Sequence, residues 1–147
     1  MDNIRFIKGT DLHAEMLRLR QEQQMDLLEC LTGMDWGETT DKDTPDTPRG
    51  LGVVYHLEST TTGERLVVRT ATLDRENAEL PSVSDIWKAA DFLEREVYDF
   101  YGIIFIGHPD MRRLYLRNDW VGYPMRKDND PEKDNPLRMD NEETIDT

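Results

Sequence analysis

Two runs of strand-forming residues, joined by a short turn, most restrict what this chain can fold into. Residues 51–59 and 64–73 are rich in Val, Leu and Tyr, and a Thr-Thr-Thr-Gly segment lies between them at residues 60–63. Such runs on either side of a short, glycine-containing connection predict a β-hairpin. The centre of the chain is therefore expected to be an antiparallel pair of strands.

A first apolar stripe with helical spacing precedes the hairpin. Leu12, Met16 and Leu19 recur at i, i+4 and i+7, which predicts a helix over residues 11–22. Asp11 is the expected cap of its amino-terminal end.

A second stripe follows the hairpin and predicts a helix that Ser82 or Ser84 caps. Its expected buried positions are Ile86, Ala90, Leu93 and Val97. Gly102 stands where the carboxyl end of a helix favours a left-handed residue. The intervening residues 74–81 are interpreted as a polar connection.

Shorter apolar segments predict further strands at residues 3–8, 103–106 and 111–116. Residues 25–34 lack helical spacing and predict a buried strand that contains Cys30 as a small core residue. Residues 35–50 are acidic, hold two prolines and are expected to form a loop. Hairpins with helices before and between them favour an α+β fold: a two-layer domain with a mixed or antiparallel sheet, helices on one face and an extended carboxyl-terminal tail.

The 147 residues suit one domain, expected at residues 1–127, and residues 128–147 are predicted to be an acidic, extended or disordered tail. The formal net charge is −13, which argues against nucleic acid as a partner because phosphate binding needs a basic surface. Residues 106–127 reverse the balance, with five bases against two acids. This basic stretch suggests either a docking face for an acidic partner or a mixed, salt-bridged surface, and charge alone favours the latter.

Cysteine usage and hydropathy favour a cytoplasmic setting. The single cysteine excludes an intramolecular disulfide, and no stretch approaches the roughly 20 apolar residues of a membrane span. No secretory signal is apparent at the amino terminus, so any membrane association is expected to be indirect.

Residues 94–113 combine acids, arginines, a histidine and aromatics without an obvious catalytic pair. Arg95 lies one helical turn from both Asp91 and Asp99, which predicts ion pairs along one helix face. Glu96 and Asp99 are spaced i, i+3, so two carboxylates can share a face and do acid–base work or bind a cation, although an ionic surface is the default.

His108, Arg112 and Arg113 follow the helix and are expected to have structural roles. His108, between a glycine and a proline, is expected to organise a turn rather than to hold a metal. Arg112 and Arg113 are adjacent in a predicted strand and therefore point in opposite directions. One of them is expected to reach inward to Glu94, Glu96 or Asp99 as a bidentate partner.

A second cluster contains the residue types that are enriched at protein interfaces: Trp120, Tyr123, Met125, Arg126 and Lys127. The cluster fits a partner surface and a cap of the domain's own core equally well. Phosphate-binding glycine motifs, a GxSxG nucleophile elbow and CxxC pairs are all missing from the sequence.

The order and spacing of these residues resemble one family. The principal block runs Glu94-Arg95-Glu96, two residues, Asp99, two aromatics, six residues, His108, three residues, Arg112. Matching flanks are Leu51-Gly52-Val53-Val54-Tyr55-His56-Leu57, Pro81-Ser82-Val83 with Trp87 and Ala90, and Asp119-Trp120, Gly122, Pro124 and Arg126-Lys127-Asp128. Over about residues 25–128 the chain resembles the 30 kDa subunit family of respiratory complex I, in bacteria the C-type subunit of NADH-quinone oxidoreductase.

The resemblance implies a non-catalytic subunit of the hydrophilic arm, peripheral on the cytoplasmic side of the inner membrane. It implies that this chain carries no cofactor, while NADH, quinone and iron–sulfur clusters are bound elsewhere in the complex. The implied partners are the large hydrogenase-like (49 kDa-type) quinone-site subunit and the small iron–sulfur subunit. The implied interface or structural residues are Glu94, Arg95, Glu96, Asp99, Gly102, His108, Pro109, Asp110, Arg112, Arg113, Asp119, Trp120, Arg126 and Lys127.

Two alternatives stay open at this point. The same module also serves related membrane-bound hydrogenases and ferredoxin-linked oxidoreductases, which this sequence does not separate from complex I. A remote alternative is an autonomous acid–base or metal enzyme that uses Glu96, Asp99 and His108.

Overall fold

The computed structural model describes residues 3–38 and 48–130. Its elements, in chain order, are β1 (Asn3–Phe6), α1 (Gly9–Glu22), β2 (Leu27–Asp35), β3 (Leu51–Glu58), β4 (Arg65–Thr72), β5 (Glu79–Pro81), α2 (Ala90–Tyr101) and β6 (Ile104–Ile106). The predicted hairpin is β3–β4, with each strand opposite the other from Leu51↔Thr72 to Glu58↔Arg65. The α+β fold class is confirmed.

The strands form two separate sheets. The larger has the order β1-β4-β3-β2; β1 runs parallel to β4, and the other neighbours are antiparallel. Strands β5 and β6 form a two-stranded parallel sheet, and helix α2 lies between them in the chain. The larger sheet is therefore mixed, which is one of the two sheet types that the sequence predicted.

Both helices pack on the same face of the larger sheet. Alternate side chains of β3 face the core, and Val53, Tyr55 and Leu57 are almost completely buried. The stripe of α1 and Val97 of α2 belong to the same hydrophobic cluster. Burying a large apolar side chain is worth about 1.5–3 kcal/mol, so this shared core holds the two layers together.

Strand β2 differs from the prediction, because it lies at the edge of the sheet and only one of its faces is buried. A register shift between Leu28 and Cys30 places Cys30 opposite His56, on the face that the helices leave uncovered. The Cys30 side chain is consequently exposed, and the expectation of a core cysteine is wrong.

The helix starts were also predicted inexactly. Helix α1 begins at Gly9 after Lys8, so Asp11 lies in the first turn and is not the cap. Helix α2 begins only at Ala90, because residues 84–89 form turns, and neither predicted serine caps it. The short strand β5 lies within the segment interpreted as a polar connection.

Parts of two predicted segments lie outside the described residues. These are most of the acidic loop at residues 35–50 and all but the first three residues of the predicted tail. The boundary after residue 127 therefore stays a prediction. Within the described ranges, no helix combines the length and apolarity that crossing a membrane requires.

Candidate functional site

Asp99, in the last turns of α2, organises the segment that follows β6. Its fully buried carboxylate accepts a hydrogen bond from Arg113 (3.0 Å) and from the backbone N–H groups of Tyr115 (2.7 Å), Leu116 (3.0 Å) and Leu114 (3.3 Å). Burial alone would raise the pKa of Asp99, but these four donors outweigh it and hold the pKa below its ordinary value. Asp99 is therefore ionised at neutral pH.

These bonds explain why the predicted strand at residues 111–116 is absent. The amides of three successive residues turn towards one carboxylate, so they are not available to a neighbouring strand. A carboxylate that accepts several N–H bonds binds nearby backbone strongly. Here these bonds prevail over the strand-forming tendency of residues 111–116.

Arg113 is the arginine that reaches inward, as expected of one of the pair, but it contacts the Asp99 carboxylate through one nitrogen and is not the expected bidentate partner. Its side chain is 10% exposed, and besides Asp99 it donates to the carbonyl oxygens of Trp120 (3.1 Å) and Gly122 (3.0 Å). Arg112 points outward, and its one ion pair within residues 3–38 and 48–130 is with Asp110, two residues away (2.8 Å). One guanidinium thus joins the end of α2 to residues 120–122.

Tyr123 continues this connection. The guanidinium groups of Arg113 and Arg126 each lie 5.0 Å from the centre of its ring, a cation–π distance on both contacts. Arg126 also donates to the carbonyl oxygens of Tyr101 (2.6 Å) and Arg75 (2.9 Å). The carboxyl-terminal residues are bound to α2 by these two arginines.

Gly102 ends α2 in the predicted left-handed conformation, with φ of +72° and its N–H donating to the Tyr98 carbonyl oxygen. A Cβ atom at this position would lie 2.5 Å from the Tyr123 ring and 2.7 Å from Arg126. The glycine is thus required twice, by the backbone conformation and by the approach of the carboxyl-terminal segment.

A second ionic contact, next to Arg126, holds the same segment. Arg75 makes a bidentate pair with the buried Asp35 (2.6 and 2.9 Å) and contacts Asp128 (3.2 Å). Asp35 also accepts from the backbone N–H of Lys127 (2.9 Å), and the Arg75 guanidinium holds the pKa of Asp35 well below its usual range. Sequence reasoning missed this pair, because Asp35 ends β2, Arg75 follows β4, and no spacing links them.

His108 organises the turn after β6, so its structural interpretation is confirmed. Its Nδ1 accepts from the N–H of Asp110 (2.9 Å), and its Nε2 lies 2.9 Å from the carbonyl oxygen and 3.1 Å from the carboxylate of Asp91. The neutral tautomer with the proton on Nε2 satisfies both contacts. Pro109 completes the turn, which is thereby attached to the start of α2.

Glu94 is the other fully buried carboxyl group of α2. It accepts a hydrogen bond from the Ser82 hydroxyl (2.6 Å) and one from the Val83 N–H (3.0 Å). Burial raises its pKa to about 7, because two neutral donors offset only part of the cost of removing a carboxylate from water. Ser82, which was expected to cap α2, serves this carboxyl group instead.

The predicted ionic ladder on α2 is wrong. Arg95 donates to the carbonyl oxygens of Arg112 and Arg113 (both 3.2 Å), while its expected partners Asp91 and Asp99 bind other groups. The structure does not bring Glu96 and Asp99 together as a carboxylate pair, since Glu96 is exposed and Asp99 is buried against Arg113.

The residues of the proposed acid–base or metal site therefore lie in three different environments. Among residues 3–38 and 48–130, no group of three or more His, Cys, Asp or Glu side chains could hold a metal ion. The basic stretch is largely a mixed surface: Arg117 pairs with Asp119 (2.9 Å), as Arg112 does with Asp110.

Residues 113–128, which these contacts bind to α2, present apolar groups to solvent. The rings of Phe100 and Tyr115 stack with their centres 5.9 Å apart, and the N–H of Met125 donates to the Phe100 carbonyl oxygen (3.0 Å). Tyr115 is 65% and Met125 56% exposed. We call these three residues the α2 patch, a solvent-facing group of the residue types that protein interfaces favour.

Comparison with known proteins agrees with this architecture. The family model of the respiratory-chain NADH dehydrogenase 30 kDa subunit matches residues 6–135. The C/D subunit of NADH-quinone oxidoreductase from Bacteroides fragilis is 73% identical over 147 residues, which is all of this chain and 28% of that protein. The chain thus spans little more than a quarter of the length of this curated relative.

Two solved structures share the fold. A trypsin-resistant fragment of Nqo5 is 34% identical, with a TM-score of 0.62, over 71% of this chain and 79% of that chain. A chain of the membrane-bound sulfane sulfur reductase, an archaeal respiratory membrane complex, is 27% identical, with a TM-score of 0.69, over 99% of this chain and 79% of that chain. The family match, covering most of the sequence, shows that this chain belongs to the 30 kDa subunit family of respiratory-chain NADH dehydrogenases.

Proposed function

We propose that this chain is a non-catalytic, assembly-supporting part of the hydrophilic arm of a complex I-like NADH-quinone oxidoreductase. The complex as a whole would transfer electrons to quinone and couple this to ion translocation. In that role the chain would hold other subunits in register and would itself bind no redox cofactor. The NADH, quinone and iron–sulfur sites would lie in other subunits.

The attachment of residues 113–128 to α2 carries this proposal. The carboxylates of Asp99 and Asp35 accept hydrogen bonds from arginines and backbone amides, and the Tyr123 ring contacts two guanidinium groups. Such buried, directional contacts fix geometry more than they add stability. What they fix here is the outward presentation of the α2 patch, which suits binding of another protein.

The proposed partners are the large 49 kDa-type quinone-site subunit and the small iron–sulfur subunit. The name of the relative from Bacteroides fragilis combines two letters, C and D, and this chain matches 28% of that protein. The combined name supports a close association between the matched region and the rest of such a protein. The proposed location is peripheral, at the cytoplasmic side of the inner membrane, with membrane contact only through the complex.

A related complex is the second candidate. The archaeal sulfane sulfur reductase shows that this fold also occurs in a respiratory membrane complex with another named activity. The identity of 73% to a protein named as part of an NADH-quinone oxidoreductase, against 27% to the reductase chain, favours the first candidate. Electron-donor modules among the co-purifying proteins would discriminate the two.

The test is purification of the complex under mild detergent, with its subunits identified by mass spectrometry. We expect this chain to co-purify with NADH-oxidising, quinone-site and iron–sulfur subunits. Met125→Glu in the α2 patch should lower the yield of assembled complex by about tenfold or more, since an unpaired charge at an interface core is costly. The matched control is Thr61→Glu, which adds the same charge at an exposed turn position.

Two results would contradict the proposal. One is recovery of the chain without any respiratory subunit. The other is a Met125→Glu complex that assembles fully but has lost turnover, because that would assign the patch to chemistry instead of assembly.

A further inference from the structure

A groove of about 720 Å³ lies between the end of β4 and strand β5. Its lining includes residues 71–74, residues 79–81 and the first turn of α1. Two apolar side chains on it, Leu73 and Ile106, are 67% and 54% exposed. None of the residues that line it takes part in the contacts that bind residues 113–128 to α2.

One wall of the groove is a strand edge whose partner has ended. Strand β1 pairs with β4 from Asn3↔Leu66 to Phe6↔Arg69, and the Ile7 N–H donates to the Arg69 carbonyl oxygen (2.9 Å). Backbone groups two residues apart in a strand point the same way, so the N–H and C=O of Ala71 face the side that β1 occupied. There the chain has already turned into α1, and no described strand pairs with Ala71 on that side.

The opposite wall is also a strand edge. The Ala78 carbonyl oxygen accepts from Ile104 (2.9 Å), and the Ser82 N–H donates to Ile106 (2.8 Å), so these alternate residues face β6. Glu79 alternates with these residues and therefore directs its N–H and C=O away from β6, the only strand that pairs with β5 in the described part of the chain. Pro81 faces the same way but offers only its C=O group. Two strand edges without described partners thus line one apolar groove.

We propose that this groove binds an extended segment of a partner subunit, which adds a strand between β4 and β5. This inference rests on the proposed function, since it needs a partner within the complex. Strand edges with free N–H and C=O groups bind extended peptides through main-chain hydrogen bonds, and pockets between them select alternate side chains.

The side chains of the groove define the chemistry of the segment. The exposed Leu73 and Ile106 favour an apolar residue in the groove, and the two acids Asp74 and Glu79, against the single base Lys8, favour a basic one. This chain's own residues 131–147 hold six acids and two bases, so their charge opposes binding beside those two acids. A basic and apolar segment of another subunit is the better fit.

The test uses the assembled complex with a photo-crosslinking amino acid in place of Leu73. We expect irradiation to join position 73 to a segment outside residues 1–147, with alternating apolar residues and at least one Lys or Arg. Tyr115, similarly exposed but on the α2 patch, is the matched position and should crosslink to a different peptide.

Hydrogen exchange supplies a second measurement that a side-chain contact alone would not change. Peptides containing Ala71 and Glu79 should exchange about tenfold more slowly in the complex than in the full chain purified alone, because their amides gain acceptors. The exposed turn at residues 60–63 should not change.

A crosslink to residues 131–147 would overturn the assignment of the occupant. The absence of any crosslink from position 73 in an intact complex, or unchanged exchange at both amides, would overturn the strand addition and leave the proposed function standing. If the chain enters no respiratory complex at all, the proposed function fails and this inference fails with it.

Discussion

Helix α2 contains two fully buried carboxyl groups, five residues apart, whose surroundings are opposite. Asp99 faces a guanidinium group and three backbone amides, and its pKa lies below the ordinary value. Glu94 faces one hydroxyl and one amide, and its pKa is raised to about 7. Equal burial therefore leads to opposite electrostatic behaviour, and the number and charge of the donors decide which.

The contrast corresponds to two structural tasks. Asp99 holds a long irregular segment, and its charge at neutral pH accepts hydrogen bonds from three of that segment's backbone donors. Glu94 joins α2 only to the turn at Ser82 and Val83, where two bonds suffice. A buried charge is tolerated when its hydrogen-bonding capacity is filled and is costly when it is not.

The largest expected effect comes from removing the charge of Asp99. Asp99→Asn should lower the free energy of unfolding by about 3–5 kcal/mol, because it leaves the nearly buried Arg113 without its counter-charge. Denaturant unfolding measures this loss. Asp119→Asn, which removes the same charge from an exposed pair with Arg117, should cost at most about 1 kcal/mol; equal losses in the two variants would contradict the contrast.

Removing the charge of Glu94 should instead raise the free energy of unfolding above neutral pH. A carboxyl group with a raised folded pKa destabilises the protein as pH rises from its ordinary value near 4.5 to about 7, so the free energy of unfolding falls across that window. Glu94→Gln should remove this fall. The free energy of unfolding of the variant, relative to that of wild type, should therefore be about 3 kcal/mol higher at pH 8 than at pH 4.

Asp99 should show the opposite pH dependence. Its contribution is present above the ordinary pKa of 3.8 and is lost as pH falls through the lower folded value. The margin by which wild type is more stable than Asp99→Asn should therefore shrink in acid, whereas wild type should become less stable than Glu94→Gln as pH rises through about 7. Unfolding curves at several pH values check both signs, and parallel profiles for the two variants would refute the comparison.

A smaller effect is expected at Gly102, where α2 meets the bound segment. Gly102→Ala should cost about 1–3 kcal/mol, from the positive φ and from contact with the Tyr123 ring. Gly63→Ala is the control, since Gly63 has a similar φ of +74° but no atom within 4 Å of its Cβ position. Thermal unfolding of both should show a larger loss at Gly102, and that excess measures the packing of Tyr123.

The smallest effect is expected at Arg112. Arg112→Ala should change the free energy of unfolding by less than about 1 kcal/mol, because this side chain is 69% exposed and pairs only locally. Arg113→Ala beside it should cost about 3–5 kcal/mol, since it removes one partner of a buried pair. Chemical denaturation of the two single variants tests the assignment of the inward arginine.

Local patterns predicted the regular elements well. The hairpin, the stripe of α1 and the glycine at the end of α2 all follow from residue spacing and conformational preference, which depend on near neighbours. The ion pairs were less predictable. The sequence indicated an inward arginine at position 112 or 113, but three carboxylates were possible partners.

The failures share one cause. Asp35 and Arg75 are 40 residues apart, and the expected strand at residues 111–116 is replaced by amide bonds to a residue on a preceding helix. Cys30 lies on the exposed face because of a register shift in β2. Each outcome depends on contacts between distant parts of the chain, which no local pattern contains.

By itself, then, the sequence determined the fold class, the hairpin, the apolar faces of both helices and the resemblance to the family, since these follow from periodicity and ordered spacing. Only the tertiary structure decided which carboxylate each arginine binds, how Glu94 and Asp99 differ, and which strand edges stay unpaired. The physical reason is that hydrogen-bond partnership and desolvation are properties of positions in space, and folding brings together residues that the sequence keeps apart.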